Sequence, residues 1–105
     1  MIEPSPRRGE VWLAHLDKVR PVVVLTRDPL GGILHAVIGA PVTSTVRGLS
    51  TEVALGPDDG LRVESVANLD SVQLVTRSRL VRRVARPARM RSICRALAVA
   101  VGCEP

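Results

Sequence analysis

A chain of 105 residues and 11.3 kDa has room for one domain with a single modest core. No apolar run approaches the roughly 18 residues that a membrane span needs. The opening MIEPSPRRGE lacks the apolar segment of a secretory signal, so the expected compartment is the cytoplasm. A formal net charge of +5 and a pI of about 10.9 suit a polyanion, nucleic acid first, or an acidic protein partner. Fourteen of the fifteen basic residues are arginine, and eight of them lie between Arg77 and Arg95. Trp12 is the sole aromatic residue, which excludes the stacking platforms of many single-strand binders. Cys94 and Cys103 are too few for a disulfide framework and have no metal-type spacing with His15 or His35. Two reduced thiols are expected, Cys94 packed in a core, with no metal and no cofactor.

In chain order, residues 1–8 read as a loose tail and Gly9 to Leu16 as a first strand rich in β-prone bulk. Asp17-Lys18-Val19 is a very short connection, so a hairpin should lead into Arg20-Pro21-Val22-Val23-Val24-Leu25-Thr26. The apolar run there, mostly β-branched, reads as a strand buried on both faces. Pro21 pushes Arg20 into an extended conformation and sets it at the open end of that strand. Arg27 to Gly32 is dense in turn formers, and Ile33 to Gly39 makes a third strand. The chain then turns through Gly39 to Pro41 before Val42-Thr43-Ser44-Thr45. If the two strands are neighbours, a guanidinium and several hydroxyls converge at one rim, a plausible phosphate site. Equally, the arginine caps a strand end and the threonines serve β-propensity.

Thr51 to Leu55 forms a short fourth strand, and Gly56-Pro57-Asp58-Asp59-Gly60 is the clearest turn. Ser65 to Asp70 and Leu80 to Ala85 are further extended segments, joined by Ser71 to Arg77. The imperfect alternation of Leu80-Val81-Arg82-Arg83-Val84 predicts an edge or a dimer contact. Met90, Ile93, Cys94, Leu97 and Val101 line one face of a helix over 88–101, with Pro87 in its first turn and Gly102 after its end. The fold class is mainly β with a C-terminal helix (α+β), a small, partly open antiparallel barrel closed by that helix. The whole of 1–105 is expected to be one domain.

Arg8-Gly9-Glu10-Val11-Trp12, then Arg20-Pro21-Val22-Val23-Val24-Leu25, then Pro41-Val42-Thr43-Ser44, in that order and spacing, resemble the MazF/PemK (Kid) family of type II toxin endoribonucleases. The likeness runs on through Glu52-Val53, Val66-Ala67-Asn68-Leu69-Asp70 and the closing helix. It implies an SH3-like barrel of the MazF/PemK/CcdB kind that forms a homodimer, with single-stranded RNA lying across it. It further implies sequence-selective cleavage without metal, by attack of the 2′-OH on the adjacent phosphate. The products would be 2′,3′-cyclic phosphate and 5′-OH ends, and the consequence arrested translation and growth. The family's catalytic positions correspond to Arg20 and Thr43, and Kid-type members add Asp70. Lys18, Arg27, Ser44, Thr45, Arg47 and Asn68 are the candidates for holding RNA.

Chemistry agrees with that transfer. A fixed guanidinium donates paired hydrogen bonds to the charging phosphorane oxygens, and such donors often contribute ~3 kcal/mol each. Arginine is too basic to move protons well, so Arg20 is assigned to charge stabilisation. Asp70 either accepts the 2′-OH proton or orients Arg20, the orienting role being preferred. The resemblance also implies an acidic MazE-like antitoxin as partner. Departures are the short Asp17-Lys18-Val19 loop, Asn68 in place of an arginine and Ser71 in place of a glutamine. The alternative is a CcdB-like gyrase poison on the same barrel, against which stand the Arg20/Thr43 pair and an unlike C-terminal end. A basic RNA-binding module without catalysis is a third reading.

Overall fold

Two β-prone runs separated by three residues leave only a tight reversal between them. β1 (Val11–His15) accordingly pairs antiparallel with β2 (Val19–Val24), Val11 opposite Val23 and His15 opposite Val19. The computed structural model describes residues 5–28, 30, 33–86 and 89–103. The expectations for the tail over 1–4, for Pro29, Gly31 and Gly32 in the turn, for Pro87 and the helix start at Ala88, and for Glu104-Pro105 lie outside those residues. The described part of the N-terminal segment is fastened. The Arg7 amide donates to the Glu10 carboxylate (2.8 Å), and the Arg8 amide donates to that of Asp28 (2.9 Å).

After β2 come β3 (Ala36–Thr43), β4 (Glu52–Leu55), β5 (Ser65–Asn68), β6 (Gln73–Thr76), β7 (Leu80–Ala85) and the helix α1 (Met90–Ala100). The sheet order is β4-β5-β3-β2-β1-β7, with β6 beside β3, and every strand pairing is antiparallel. β3 is the hinge of the sheet. One edge meets β2; the other meets β6 over its first half and β5 over its last residues. This is the mainly β architecture with a closing helix that the pattern predicts.

Val22, Val23 and Val24 are all fully buried, as the doubly covered strand requires. Their faces alternate. Val23 joins Val11, Ala40, Val42, Val53, Leu55, Ala85 and Ile93 in the larger core, while Val22 and Val24 join Ala14, Val37, Val75 and Leu80 in a smaller one. β4 and β7 stand at opposite ends of the strand order yet both feed the larger core, so the sheet is curled around it. Each buried valine or leucine contributes about 1.5–3 kcal/mol.

Several boundaries differ from the sequence reading. The third strand starts at Ala36 rather than Ile33 and continues through Pro41 to Thr43. Pro41 is tolerated because it falls between the last β6 pair, Gly39 with Gln73, and the first β5 pair, Val42 with Ala67. The supposed connection from Ser71 to Arg77 contains a strand, β6, of which only Val75 is deeply buried. β7 does close one end of the strand order, as expected of an edge. Cys94 is exposed, contrary to its expected core position, and its Sγ accepts from the Arg8 guanidinium at 2.9 Å. The buried stripe of α1 runs through Ile93 and Ala96, flanked by Met90, Leu97 and Ala100.

Candidate active site

The β2–β3 register runs Val22 to Pro41, Val23 to Ala40 and Val24 to Gly39. Continued by two residues, it sets Arg20 against Thr43. Both side chains line one open groove of about 390 Å³, together with Leu16, Asp17, Pro41, Val42, Asn68 and Gln73. The sheet thus brings together the guanidinium and the hydroxyl that the sequence could place only conditionally.

Arg20 is not free in this groove. Its Nε donates to Asp17 Oδ1 at 2.8 Å and its Nη2 to Asp17 Oδ2 at 3.2 Å, a side-on bidentate pair. The Arg20 bonds first, with help from the Lys18 amide, outweigh the opposing effect of desolvation and hold the Asp17 carboxyl at about 2, below its ordinary 3.8. Asp17 in turn raises the guanidinium further above its already high range. The Nη1 edge of Arg20 keeps its donors for a ligand. Thr43 Oγ1 accepts the Thr45 amide at 3.1 Å, which fixes the rotor and leaves the hydroxyl hydrogen available to donate.

The loop after β3 has no regular structure but is well held. The Glu52 carboxylate gathers the amides of Arg47, Gly48 and Leu49 at 2.8–3.3 Å, with Gly48 in the left-handed region at φ 77°. Ser44, Thr45 and Arg47 are exposed along this loop, and Lys18 is exposed at the tip of the β1–β2 hairpin. Asn68 is fixed at the groove edge. Its Oδ1 accepts the Asp70 amide (3.0 Å) and its Nδ2 donates to Ser71 (3.1 Å). The Asp70 carboxylate accepts the Thr51 hydroxyl, and the carboxylate that touches Arg20 is that of Asp17. Arg27 follows the other end of β2, ~20 Å of extended chain from Arg20, so the fold does not bring it to the groove.

Asp17 and Gln73 are groove residues that the sequence reading did not select. An Asp-x-x-Arg spacing across a two-strand reversal is a usable signal for the first; the second depends on β6, whose mostly exposed pattern carries no strand signal. A further cavity of about 430 Å³, lined by Leu13, Pro21, Val42, Leu61, Val63 and Val84 with Arg62 and Arg82, is larger but mostly apolar and lacks the arginine–threonine pair. Among the described residues, no three of His, Cys, Asp and Glu gather closely enough to hold a metal ion, and no helix is long and apolar enough to cross a membrane.

The fold is a small curled antiparallel sheet with a closing helix and an open groove holding an arginine and a threonine, and comparisons with known proteins show what class it belongs to. Residues 7–101 match the family model described as PemK-like, MazF-like toxin of type II toxin–antitoxin system. The chain is 48% identical over 104 residues to the probable endoribonuclease MazF5 of Mycobacterium tuberculosis, covering 94% of this chain and 95% of that protein. Its fold superposes on the M. tuberculosis toxin MazF-mt6 with a TM-score of 0.87, at 34% identity over 91% of this chain and 99% of the other. A mycobacterial endoribonuclease solved with its cognate antitoxin gives a TM-score of 0.85, at 28% identity over 95% and 98%. The chain belongs to the PemK-like, MazF-like toxins of type II toxin–antitoxin systems and stands among their endoribonucleases.

Proposed function

We propose that this toxin cleaves single-stranded RNA at selected sequences by attack of a ribose 2′-OH on the adjacent phosphate, with no metal ion. The 2′-OH loses its proton as O2′ bonds phosphorus, the P–O5′ bond breaks, and O5′ leaves with a proton. The ends are a 2′,3′-cyclic phosphate and a 5′-OH. The observation that carries this reading is the shared groove of Arg20 and Thr43, where a fixed guanidinium and a donor hydroxyl face the same space. Negative charge accumulates on the non-bridging oxygens in the transition state, and preorganised donors aimed there act where they are worth most.

Lys18, Ser44, Thr45, Arg47 and Asn68 hold the flanking nucleotides along the groove and its loop. Asp70 acts at the rim, where its carboxylate accepts from the Thr51 hydroxyl and its backbone N–H donates to Asn68 Oδ1, two hydrogen bonds that fix the turn over 69–71. The working form is a cytoplasmic homodimer of single-domain chains. Its regulator is an acidic antitoxin, in keeping with the +5 charge and with the antitoxin complex of the mycobacterial relative. Incubation with a mixed single-stranded RNA pool in EDTA, beside Arg20→Ala, tests the proposal. Cleavage by the parent alone, with cyclic phosphate ends, is expected. RNA left intact by the parent, or cut equally by both proteins, overturns it.

A further inference from the structure

We propose that Asp17 is a positioning residue for Arg20, and that its charge keeps the resting groove near neutral so that Arg20 favours cleavage over RNA binding. This rests on the nuclease activity proposed above. The first support is geometry. Asp17 takes the Nε and Nη2 edge of the guanidinium in two bonds of 2.8 and 3.2 Å, which fixes the plane of the group. Both residues sit in a hairpin closed by the Leu16 amide on the Lys18 carbonyl at 3.0 Å, so neither backbone is free to swing. Among the described residues no other carboxylate meets Arg20. An unpaired arginine would distribute its fork over many rotamers, and only a fraction would present Nη1 to a phosphate.

The second support is the charge of the groove. Its described lining residues include one cation and one anion, Arg20 and Asp17, which cancel. A ground-state phosphodiester carries one negative charge and gains little net attraction from such a pair. As the phosphorane forms, charge grows on the oxygens next to the fixed Nη1 edge, while the carboxylate lies on the far side of the guanidinium. The interaction therefore strengthens along the reaction coordinate, which raises kcat rather than lowering KM. Asp17 keeps its charge at the near-neutral pH of the reaction, since even the ordinary aspartate value of 3.8 lies well below it and the Arg20 bonds lower the carboxyl further.

The test compares the parent, Arg20→Ala, Asp17→Asn and Asp17→Glu on an oligonucleotide containing a cut site mapped with the parent. Single-turnover rates at saturating RNA are measured beside the Kd for the same oligonucleotide carrying 2′-O-methyl at that site. For Asp17→Asn the rate is expected to fall roughly 10- to 100-fold, the cost of a misplaced catalytic group. Binding is expected to tighten about fivefold with one negative charge removed. The slope of log Kd against log salt should steepen by about 0.7 as Arg20 becomes an ordinary phosphate contact. Asp17→Glu restores part of the rate, and Asp17→Ser gives the same readings should the asparagine variant fail to fold. An unchanged rate, or a lower rate with weaker binding, overturns the proposal while leaving the nuclease activity standing. A parent that cuts nothing removes both.

Discussion

Arg20 carries the chemistry by shape as much as by charge. Alanine at this position removes the paired donors, and the expected loss is about 10²- to 10³-fold in kcat, as for other preorganised oxyanion donors. Lysine keeps the charge but not the fork, so Arg20→Lys should recover less than a tenth of that loss, read by single-turnover cleavage with intact RNA binding. Recovery to near the parent rate would mean that charge alone suffices. Pro21 and the valine run place Arg20 near the start of its strand, but its meeting with Thr43 was legible only on condition that the two strands are neighbours, and it was the family resemblance that singled Thr43 out; the β2–β3 register supplies the condition. Asp17 was hidden for a plain reason: an exposed aspartate in a three-residue reversal reads as a turn former. The bond of Asp70 to Thr51 was equally unreadable, since it joins the turn after β5 to the start of β4, nineteen positions apart.

At the scale of elements, the helix shows what periodicity does and does not settle. A five-residue stripe was visible, yet Ile93 and Ala96 are the residues it buries, and Cys94 faces out. Apolar side chains at i, i+3 and i+4 do not say which flank of the stripe seats deepest; the packing against the larger core decides it. Ile93→Ala should cost about 2–5 kcal/mol in a denaturant melt. Cys94→Ala should stay within about 0.5 kcal/mol. β6 is hard to read as a strand because Gln73 and Leu74, on opposite faces, are both exposed and Val75 is its one deeply buried residue.

The β1–β7 edge is tied by Glu10, which accepts from the Arg7 amide and the Trp12 indole (3.0 Å) and pairs with Arg83 (3.2 Å) and Arg86 (3.6 Å). Burial by itself pushes the Glu10 carboxyl up, but the Trp12, Arg7 and Arg83 donors outweigh it, and the net direction is down from 4.5. A carboxyl depressed in the folded state stabilises fully above its unfolded value, and that contribution disappears as pH falls through the lower folded value. Glu10→Gln should therefore cost about 1–3 kcal/mol at neutral pH. The gap from the parent should narrow as melts are taken below about pH 4.5, the ordinary value for this group. A gap that is constant with pH would show that shape, not charge, holds the edge.

Over the whole molecule, the net charge of +5 says less about the surface than the count of arginines suggests. Arg83 and Arg86 are committed to Glu10, Arg89 to Asp59 and Arg20 to Asp17, so part of the basic run from Arg77 to Arg95 is internal stitching. Composition alone cannot separate stitching from footprint; only the pairing does. Lys18 and Arg47 beside the groove meet no carboxylate through their side-chain cations among the described residues. If these two make the phosphate contacts, log K for a single-stranded RNA should fall against log salt with a slope of about −1.4 per groove. A fourfold rise in salt then weakens binding about sevenfold. Arg47→Ala should bring the slope to about −0.7 and weaken all sequences alike, because a phosphate contact carries no base information. A steeper slope in the parent would instead assign phosphates to further arginines such as Arg91 and Arg95 of α1, which meet no carboxylate among the described residues, and a change in cut-site preference with Arg47→Ala would make that side chain a reader of bases.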